Sequence, residues 1–198
     1  MTKELAIITL NSHVSAFYEM QFKSLFGDLI NINSYSVFNE TVKNLDEADL
    51  IVVTTDAFKS IHDYEKIIPA NIQRVELNVE FTKNNIETLM KIPKGTCSYF
   101  VNISETMVRE CIARLSQLGI NHINFIPYFP EADTTKECDY AVTSGEMRYV
   151  PKHVKNIIDL GHRIPDSNTI VEVALRLKLE YLLEMENFKN YFNSLASS

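Results

Sequence analysis

Small neutral polar residues follow most of the strand-like segments of this sequence, and these residues are the ones best suited to binding chemistry. In open α/β sheets, ligands bind beyond the carboxyl ends of the strands, so residues at those positions are candidates. They are Asn11, Ser12, Thr54, Thr55, Asn78, Asn102, Ser104, Tyr128, Thr143, Ser144, Gly145 and Glu146. A ring of such side chains suits an uncharged or singly charged small molecule. Turns and helix caps favour the same residue types, which is the alternative interpretation.

The most distinctive of these positions is the segment Ser144-Gly145-Glu146. A glycine directly after a strand allows the backbone to approach a ligand closely, or allows a turn with positive φ. The segment lacks the Gly-x-Ser-x-Gly spacing of a nucleophile elbow, which disfavours a serine hydrolase. A small α/β enzyme acting on a metabolite stays a rival hypothesis, with Ser144, Glu146 and His153 as first suspects. Glu146 with Arg148 is most simply a solvated charge pair.

A basic residue lies at a strand-to-loop junction late in the chain. His162 and Arg163 follow the tripeptide Asp159-Leu160-Gly161. A guanidinium there could bind an anionic ligand group through two parallel hydrogen bonds. The commoner alternative is a salt bridge from Arg163 to Asp159 or Asp166.

Metal and cofactor motifs are absent from the sequence. The five histidines are dispersed, and Cys138 with Asp139 has no HxH, HExxH or CxxC partner. There is neither a Gly-x-Gly-x-x-Gly nor a Walker pattern, and the chain has only 5 glycines. We therefore expect no metal and no cofactor of the NAD or ATP kind.

Composition and charge argue against several classes of protein. The 198 residues include 19 Lys plus Arg and 26 Asp plus Glu, for a formal charge of −7. No basic block stands out, so direct contact with nucleic acid is not expected. No apolar run approaches the roughly 20 residues of a membrane helix, and the N-terminus lacks the pattern of a signal peptide. The 3 cysteines have no paired spacing, which fits a reducing cytoplasm, and a cytoplasmic location is expected.

Short β-branched or aromatic runs alternate with segments of helical period, which predicts an α/β fold with mainly parallel sheets. The expected strands cover 5–10, 32–37, 50–54, 74–78, 97–103, 123–128 and 139–143, with one more within 154–160. The expected helices cover about 15–26, 40–45, 58–68, 81–92, 105–118, 168–177 and 180–195. Ser104 and the segment 166–168 offer N-caps. We expect two Rossmann-like lobes and a C-terminal helix.

The expected division is an N-terminal α/β lobe over 1–93, a C-terminal α/β lobe over 94–179 and a terminal or linker helix over 180–198. Five apolar residues of the tail repeat at heptad spacing over two repeats, fewer than the roughly three or four that define a coiled coil. They are Tyr181, Met185, Phe188, Phe192 and Leu195. Such a helix either packs on its own domain or leaves it to pair with something else. No internal repeat of fixed period is visible.

Four segments of the second half stand out together. They are CDYAVTSGE at 138–146, YVP at 149–151, IIDLGHR at 157–163 and NTI at 168–170. In these segments the chain resembles the N-terminal sensory region of bacterial enhancer-binding transcription regulators that also carry PAS and AAA+ domains. More distantly, the layout is similar to the receptor domain of the propionate catabolism activator. The resemblance implies two lobes with an effector between them, and PAS, ATPase and helix-turn-helix domains downstream in a longer chain. It transfers no individual binding residue.

The first hypothesis is therefore a cytoplasmic ligand-sensing domain of a bacterial transcription regulator. A small-molecule effector would bind the closed arrangement of the lobes more tightly and shift the population toward it. The helix over 168–195 would carry that change to the next domain, and the tail could also pair two chains in a homodimer. Besides the enzyme, a third hypothesis is a protein-interaction module that works through its terminal helix without a small ligand.

Overall fold

A computed structural model describes residues 1–58 and 68–198, except for the side chain of Phe58. The helix predicted over 58–68, and with it His62, falls on residues 59–67, which lie outside the described ranges. The strands are β1 (Lys3–Thr9), β2 (Ile30–Ser36), β3 (Leu50–Thr54), β4 (Gln73–Leu77), β5 (Val79–Glu80), β6 (Cys97–Val101), β7 (Asn124–Tyr128), β8 (Tyr140–Thr143), β9 (Asn156–Asp159) and β10 (Ile164–Pro165). The α-helices are α1 (Ser15–Phe26), α2 (Thr55–Phe58), α3 (Lys83–Met90), α4 (Glu105–Gln117), α5 (Ser167–Arg176) and α6 (Glu186–Ser194). The predicted α/β class is confirmed.

The chain forms two compact units. Unit 1 comprises Met1–Glu80 and Ile164–Leu195, and unit 2 comprises Phe81–Arg163 and Ala196–Ser198. These boundaries differ from the sequence-based ones at 93 and 179. The difference arises because the chain returns to unit 1 after β9, where β10 pairs antiparallel with β5. The buried face of α5 then joins the core of unit 1.

Each unit contains a four-stranded parallel sheet, and the two sheets share one strand order. The order is β2-β1-β3-β4 in unit 1 and β7-β6-β8-β9 in unit 2. In unit 1 Leu5 aligns with Leu50, and in unit 2 Tyr99 aligns with Ala141. The two units are thus Rossmann-like and repeat one topology, although the sequence shows no repeat.

The sheet of unit 1 is buried on both faces. Leu5 and Ile7 of β1 lie on the face that α1, α5 and α6 cover. Ala6 and Ile8 alternate onto the opposite face. All five residues of β3 are buried. A strand covered on both sides tolerates no charged residue, which explains the unbroken aliphatic run at 50–53.

The sheet of unit 2 also has two buried faces. One face of β6 and β8 packs against α3 and α4 around Phe100 and Val142. The other face, with Tyr99 and Ala141, packs against the crossover that joins β8 to β9. The crossover contributes Val154 to that second cluster.

Side-chain caps begin three of the helices. Ser104 Oγ accepts a hydrogen bond from the Met107 amide at 3.3 Å, and Asp166 Oδ1 accepts one from the Thr169 amide at 2.8 Å. Both caps were expected from the sequence and are confirmed. At α3, Thr82 and Asn85 satisfy each other's backbone amides in a capping box.

The tail does not form the continuous helix predicted over 180–195. Lys178 has a positive φ of 58°, residues Glu180–Glu184 form a 3-10 helix, and Met185 is extended before α6 begins. Phe188 of α6 is fully buried in unit 1, where its ring centroid lies 5.1 Å from that of Phe26. The heptad spacing therefore reflects two short helical segments, and α6 packs on its own unit.

The cysteines differ from the expectation of unpaired residues. Cys97 and Cys138 form a disulfide with a Cα–Cα distance of 5.4 Å, and Cys111 is free and buried. The pairing joins the start of β6 to the residue before β8, so its spacing of 41 residues reflects the fold and no local motif. None of the helices in the described ranges has the length and hydropathy needed to cross a membrane.

Candidate functional site

The sheet of unit 2 has a topological switch point between β6 and β8. After β6 the chain forms α4 on one face of the sheet, and after β8 it crosses on the opposite face. Connections that diverge in this way leave a crevice at the carboxyl ends of the two adjacent strands, where open α/β sheets bind ligands. Asn102 follows β6, and Ser144 follows β8. The corresponding point in unit 1 lies between β1 and β3.

Three buried side chains meet at this point, and we call Asn102, Cys111 and Ser144 the switch-point cluster. The Asn102 amide nitrogen lies 3.4 Å from Ser144 Oγ and 4.0 Å from Cys111 Sγ. Its carbonyl oxygen accepts a hydrogen bond from the Ile103 amide at 2.7 Å. Two residues far apart in sequence are therefore linked across the ends of adjacent strands.

The thiol in this cluster is not activated. Burial raises the pKa of Cys111, and the nearby charge of Arg163 offsets only part of that effect. A thiolate is the nucleophilic form of cysteine, so a neutral buried thiol suits packing and weak hydrogen bonding. The cluster is therefore equipped to hold polar groups and lacks a nucleophile poised for attack by this sulfur.

The turn after β8 is held by the hydroxyl of Thr143. Thr143 Oγ1 donates to the Val101 carbonyl at 2.8 Å and accepts from the Glu146 amide at 3.1 Å. Glu146 is buried, with its Oε2 3.3 Å from Nε of Arg148. The prediction of a solvated pair is wrong for the carboxylate, because only the arginine side of the pair is exposed.

Gly145 is the tightest point of the site. Its φ is +85°, and its amide donates to Asp159 Oδ1 at 2.9 Å. The same carboxylate oxygen accepts from the Gly161 amide at 2.9 Å. A Cβ on residue 145 would lie 2.6 Å from Cε1 of His162. The position therefore requires glycine both for its backbone conformation and for the approach of the imidazole ring.

Arg163 borders the cluster and is itself buried. Its guanidinium lies 3.4 Å from Glu110 Oε1 and 5.5 Å from the ring centroid of Phe81. The predicted partners were Asp159 and Asp166, and that prediction is wrong. Asp159 instead holds the two glycine amides, and Asp166 caps α5.

The other candidates of unit 2 have structural roles. The hydroxyl of Ser104 caps α4. The backbone carbonyl of Tyr128 accepts a hydrogen bond from the backbone amide of Asn102 at 3.2 Å. The ring centroid of Tyr128 lies 5.2 Å from that of Tyr99. The alternative interpretation as caps and turn residues therefore accounts for Ser104, while Tyr128 supports the strand end that carries Asn102.

The candidates of unit 1 bond mainly to nearby backbone or to adjacent residues. Thr54 Oγ1 donates to Asp56 Oδ1 at 2.6 Å, and Thr55 Oγ1 donates to the Leu77 carbonyl at 3.2 Å. The backbone of Asn78 bonds to residues that begin α5, and the Ser12 carbonyl accepts from Ser15 Oγ at 2.7 Å. Asn11 Oδ1 is buried without a hydrogen-bond partner among the described residues.

The enzyme hypothesis grouped Ser144 and Glu146 with His153. The structure places His153 before β9, with its ring 6.1 Å from Tyr99, whereas Ser144 and Glu146 follow the carboxyl end of β8. Ser144 Oγ accepts from the side-chain amide of Asn102, and it also hydrogen-bonds the buried thiol of Cys111. The arrangement thus pairs the serine with an amide, which cannot act as a general base.

Sequence reasoning missed Cys111 and Glu110 as neighbours of the site. Both lie on α4, where Cys111 is buried and the side chain of Glu110 is 57% exposed. Only the packing of α4 beside Asn102 and Arg163 brings them to the site, and no spacing in the sequence signals that.

An open concavity of about 700 Å³ lies elsewhere, on unit 1 beside β2 and α1. Its lining includes Glu4, Glu19, Lys23 and Asn31. Glu4 Oε1 already accepts from the Asn31 side chain at 3.0 Å, and Lys23 donates to the Ile30 carbonyl at 2.9 Å. The concavity contains none of the predicted ligand residues.

Among residues 1–58 and 68–198, no group of three or more histidine, cysteine or acidic side chains is arranged to hold a metal ion. Comparison of the chain with protein-family models, curated proteins and solved structures finds no significant match.

Proposed function

We propose that this chain is a ligand-sensing domain that binds a small polar molecule at the switch-point cluster of unit 2. The observation that carries the proposal is the buried link between Asn102 and Ser144 at the carboxyl ends of β6 and β8. The two side chains hydrogen-bond to each other, and an amide and a hydroxyl each have further hydrogen-bonding capacity. We infer that a ligand at the switch point uses that capacity.

Binding is favoured over catalysis by the chemistry of the cluster. The serine bonds to an amide, and burial raises the pKa of the only free thiol. Amide and hydroxyl groups can donate to and accept from a neutral part of a ligand. Such groups fix orientation and specificity in small-molecule sites.

The regulatory part of the proposal rests on the sequence resemblance to bacterial enhancer-binding regulators. In that context, an effector would shift an equilibrium between two states of the domain by at most its differential affinity for them. Downstream PAS and AAA+ domains would then read the shift. The tail would transmit it through α5 and α6 as two packed segments.

The test is a thermal-shift screen of the full chain against a library of small polar metabolites. A molecule that binds the folded state raises the Tm in proportion to the logarithm of its concentration above Kd. We expect at least one such ligand, and we expect Ser144→Ala to reduce the shift at equal ligand concentration. The loss of one hydrogen bond should cost about 1 kcal/mol of affinity, or roughly a fivefold change in Kd.

Ser98→Ala is the matched control. Ser98 is a fully buried serine of β6 in the same unit, and its Oγ donates to the Tyr99 carbonyl at 2.9 Å. It lies toward the amino end of the strand, so its loss should lower Tm without altering the ligand-induced shift. Absence of any stabilising ligand, or equal weakening by both substitutions, would contradict the proposal.

A further inference from the structure

The ion pair between Arg163 and Glu110 is asymmetric. The side chain of Arg163 is 8% exposed, whereas that of Glu110 is 57% exposed. A buried guanidinium needs a compensating anion, because an unpaired charge in the interior is strongly unfavourable. The anion that compensates it here is an exposed carboxylate on a flexible side chain, which costs little to move.

The position of Arg163 does not depend on Glu110 alone. Its guanidinium carbon lies 5.5 Å from the ring centroid of Phe81, and Phe81 is fully buried. This contact with an aromatic face holds the guanidinium in place and leaves its edge available for hydrogen bonds. Among the described residues, the hydrogen bond to Glu110 is the only one that Arg163 donates, and at 3.4 Å it is long.

Arg163 and the switch-point cluster belong to one site. Arg163 pairs with Glu110, which directly precedes Cys111 on α4, and Cys111 Sγ lies 4.0 Å from the side-chain amide nitrogen of Asn102. Arg163 also follows His162, which packs against Gly145 in the turn after β8. A small ligand could therefore present a charged group to the arginine and neutral groups to the cluster.

We propose that the ligand carries a carboxylate that replaces Glu110 on Arg163, while its neutral polar groups bind Asn102 and Ser144. This inference rests on the proposed function and names the class of ligand. A planar guanidinium matches a carboxylate through two parallel hydrogen bonds, and one guanidinium balances one negative charge. Glu110 then competes with the ligand for Arg163, so that anions of low affinity do not displace it.

The experiment compares glycolate with glycolamide, which differ in charge but share the hydroxyl group. Dissociation constants of both are measured with the full chain by ligand-detected NMR at constant ionic strength. We expect glycolate to bind the wild-type protein at least about tenfold more tightly than glycolamide, because charge-assisted hydrogen bonds are stronger than neutral ones. Arg163→Lys keeps the charge, loses the paired geometry, and should remove most of that preference.

Glu110→Gln removes the competitor and should strengthen glycolate binding about three- to tenfold. The matched control is Glu105→Gln on the same helix, whose exposed carboxylate pairs with Arg109 at 2.9 Å. It changes the net charge equally and should leave glycolate binding unchanged. Both glutamates are exposed, but Glu110→Gln removes the anion that pairs with the buried Arg163, so binding is compared at a temperature where circular dichroism shows both variants folded.

Equal binding of glycolate and glycolamide, equal effects of Glu110→Gln and Glu105→Gln, or no binding of either probe would overturn the carboxylate assignment. The proposed function fails separately, in the library screen. A neutral ligand that stabilises the protein and depends on Ser144 would sustain that function while overturning this inference.

Discussion

The two sheets share a strand order but differ at their carboxyl edges. In unit 1 the hydroxyls after β3 bond to the neighbouring Asp56 and to the Leu77 carbonyl. In unit 2 the residues after β6 and β8 bond to each other through their side chains. The shared topology fixes where a crevice forms, and the side chains at that point decide whether it can recognise a ligand.

The largest expected effect is on the stability of unit 1, because the tail helix α6 packs into the core of that unit. Phe188→Ala removes a fully buried ring from the core of unit 1, and we expect a loss of about 3 to 5 kcal/mol of stability. Hydrogen exchange followed by mass spectrometry should show faster exchange in β1 and β3 and little change in β6 and β8. Equal loss of protection in both sheets would show that the two units unfold together.

Gly145→Ala should destabilise unit 2 by about 2 to 4 kcal/mol, because it adds a strained backbone conformation to a clash with His162. Gly161→Ala is the control, since its φ of +73° is similar but a Cβ there meets no atom within 4 Å. Urea denaturation measures both. If the two variants lose equal stability, the approach of the imidazole ring is unimportant and only the backbone conformation matters.

Asn102→Ala should cost about 1 to 3 kcal/mol, because it leaves buried partners without hydrogen bonds. Thr54→Val at the corresponding edge of unit 1 removes only a bond to an adjacent side chain and should cost about 0.5 to 1.5 kcal/mol. Thermal denaturation compares the two. A larger loss for Thr54→Val would reverse the contrast between the edges.

The smallest effect is a pH dependence that belongs to unit 2, since all three cysteines lie there. Burial raises the pKa of Cys111, so the unfolded chain releases this proton at a lower pH than the folded one. The contribution of the Cys111 thiol to the free energy of unfolding is fully present below the ordinary thiol pKa near 9. It is lost as the pH rises above that value.

Between about pH 7 and about pH 9.5, the free energy of unfolding of the wild-type protein should therefore fall by about 0.5 to 1 kcal/mol more than that of Cys111→Ala. Urea denaturation at both pH values gives the two free energies of unfolding. The pH range stays below the ordinary pKa of tyrosine, about 10. An identical decline in the two proteins would contradict the burial of a neutral thiol.

Local features of the fold could be predicted from the sequence. The bounds of α1 and β3 and the cap at Ser104 match the prediction, because helical period, aliphatic runs and N-cap preferences act within a few residues. The break in the tail was missed. Its apolar spacing suits one helix, but the positive φ of Lys178 and the extended conformation of Met185 interrupt it, and Phe188 is buried in the core of unit 1.

The sequence predicted which positions lie at the site, but it did not predict which side chains contact each other there. Asn102 and Ser144 were found because they follow strands, yet their contact depends on the parallel pairing of β6 with β8. The pairs Arg163 with Glu110 and Cys97 with Cys138 join residues 53 and 41 positions apart. Such pairs are set by packing, which one sequence without a structure does not reveal.

The antiparallel ribbon of β5 and β10 has a consequence for how the chain can be cut and rejoined. Glu80 pairs with Ile164, so the residues on either side of 81–163 lie next to each other within unit 1. Two antiparallel strands can be joined by a two-residue turn such as Asn-Gly. Replacing 81–163 by that turn would make unit 1 a continuous polypeptide. Segment 81–163 is therefore organised as a domain inserted into unit 1, which could be removed or exchanged for another.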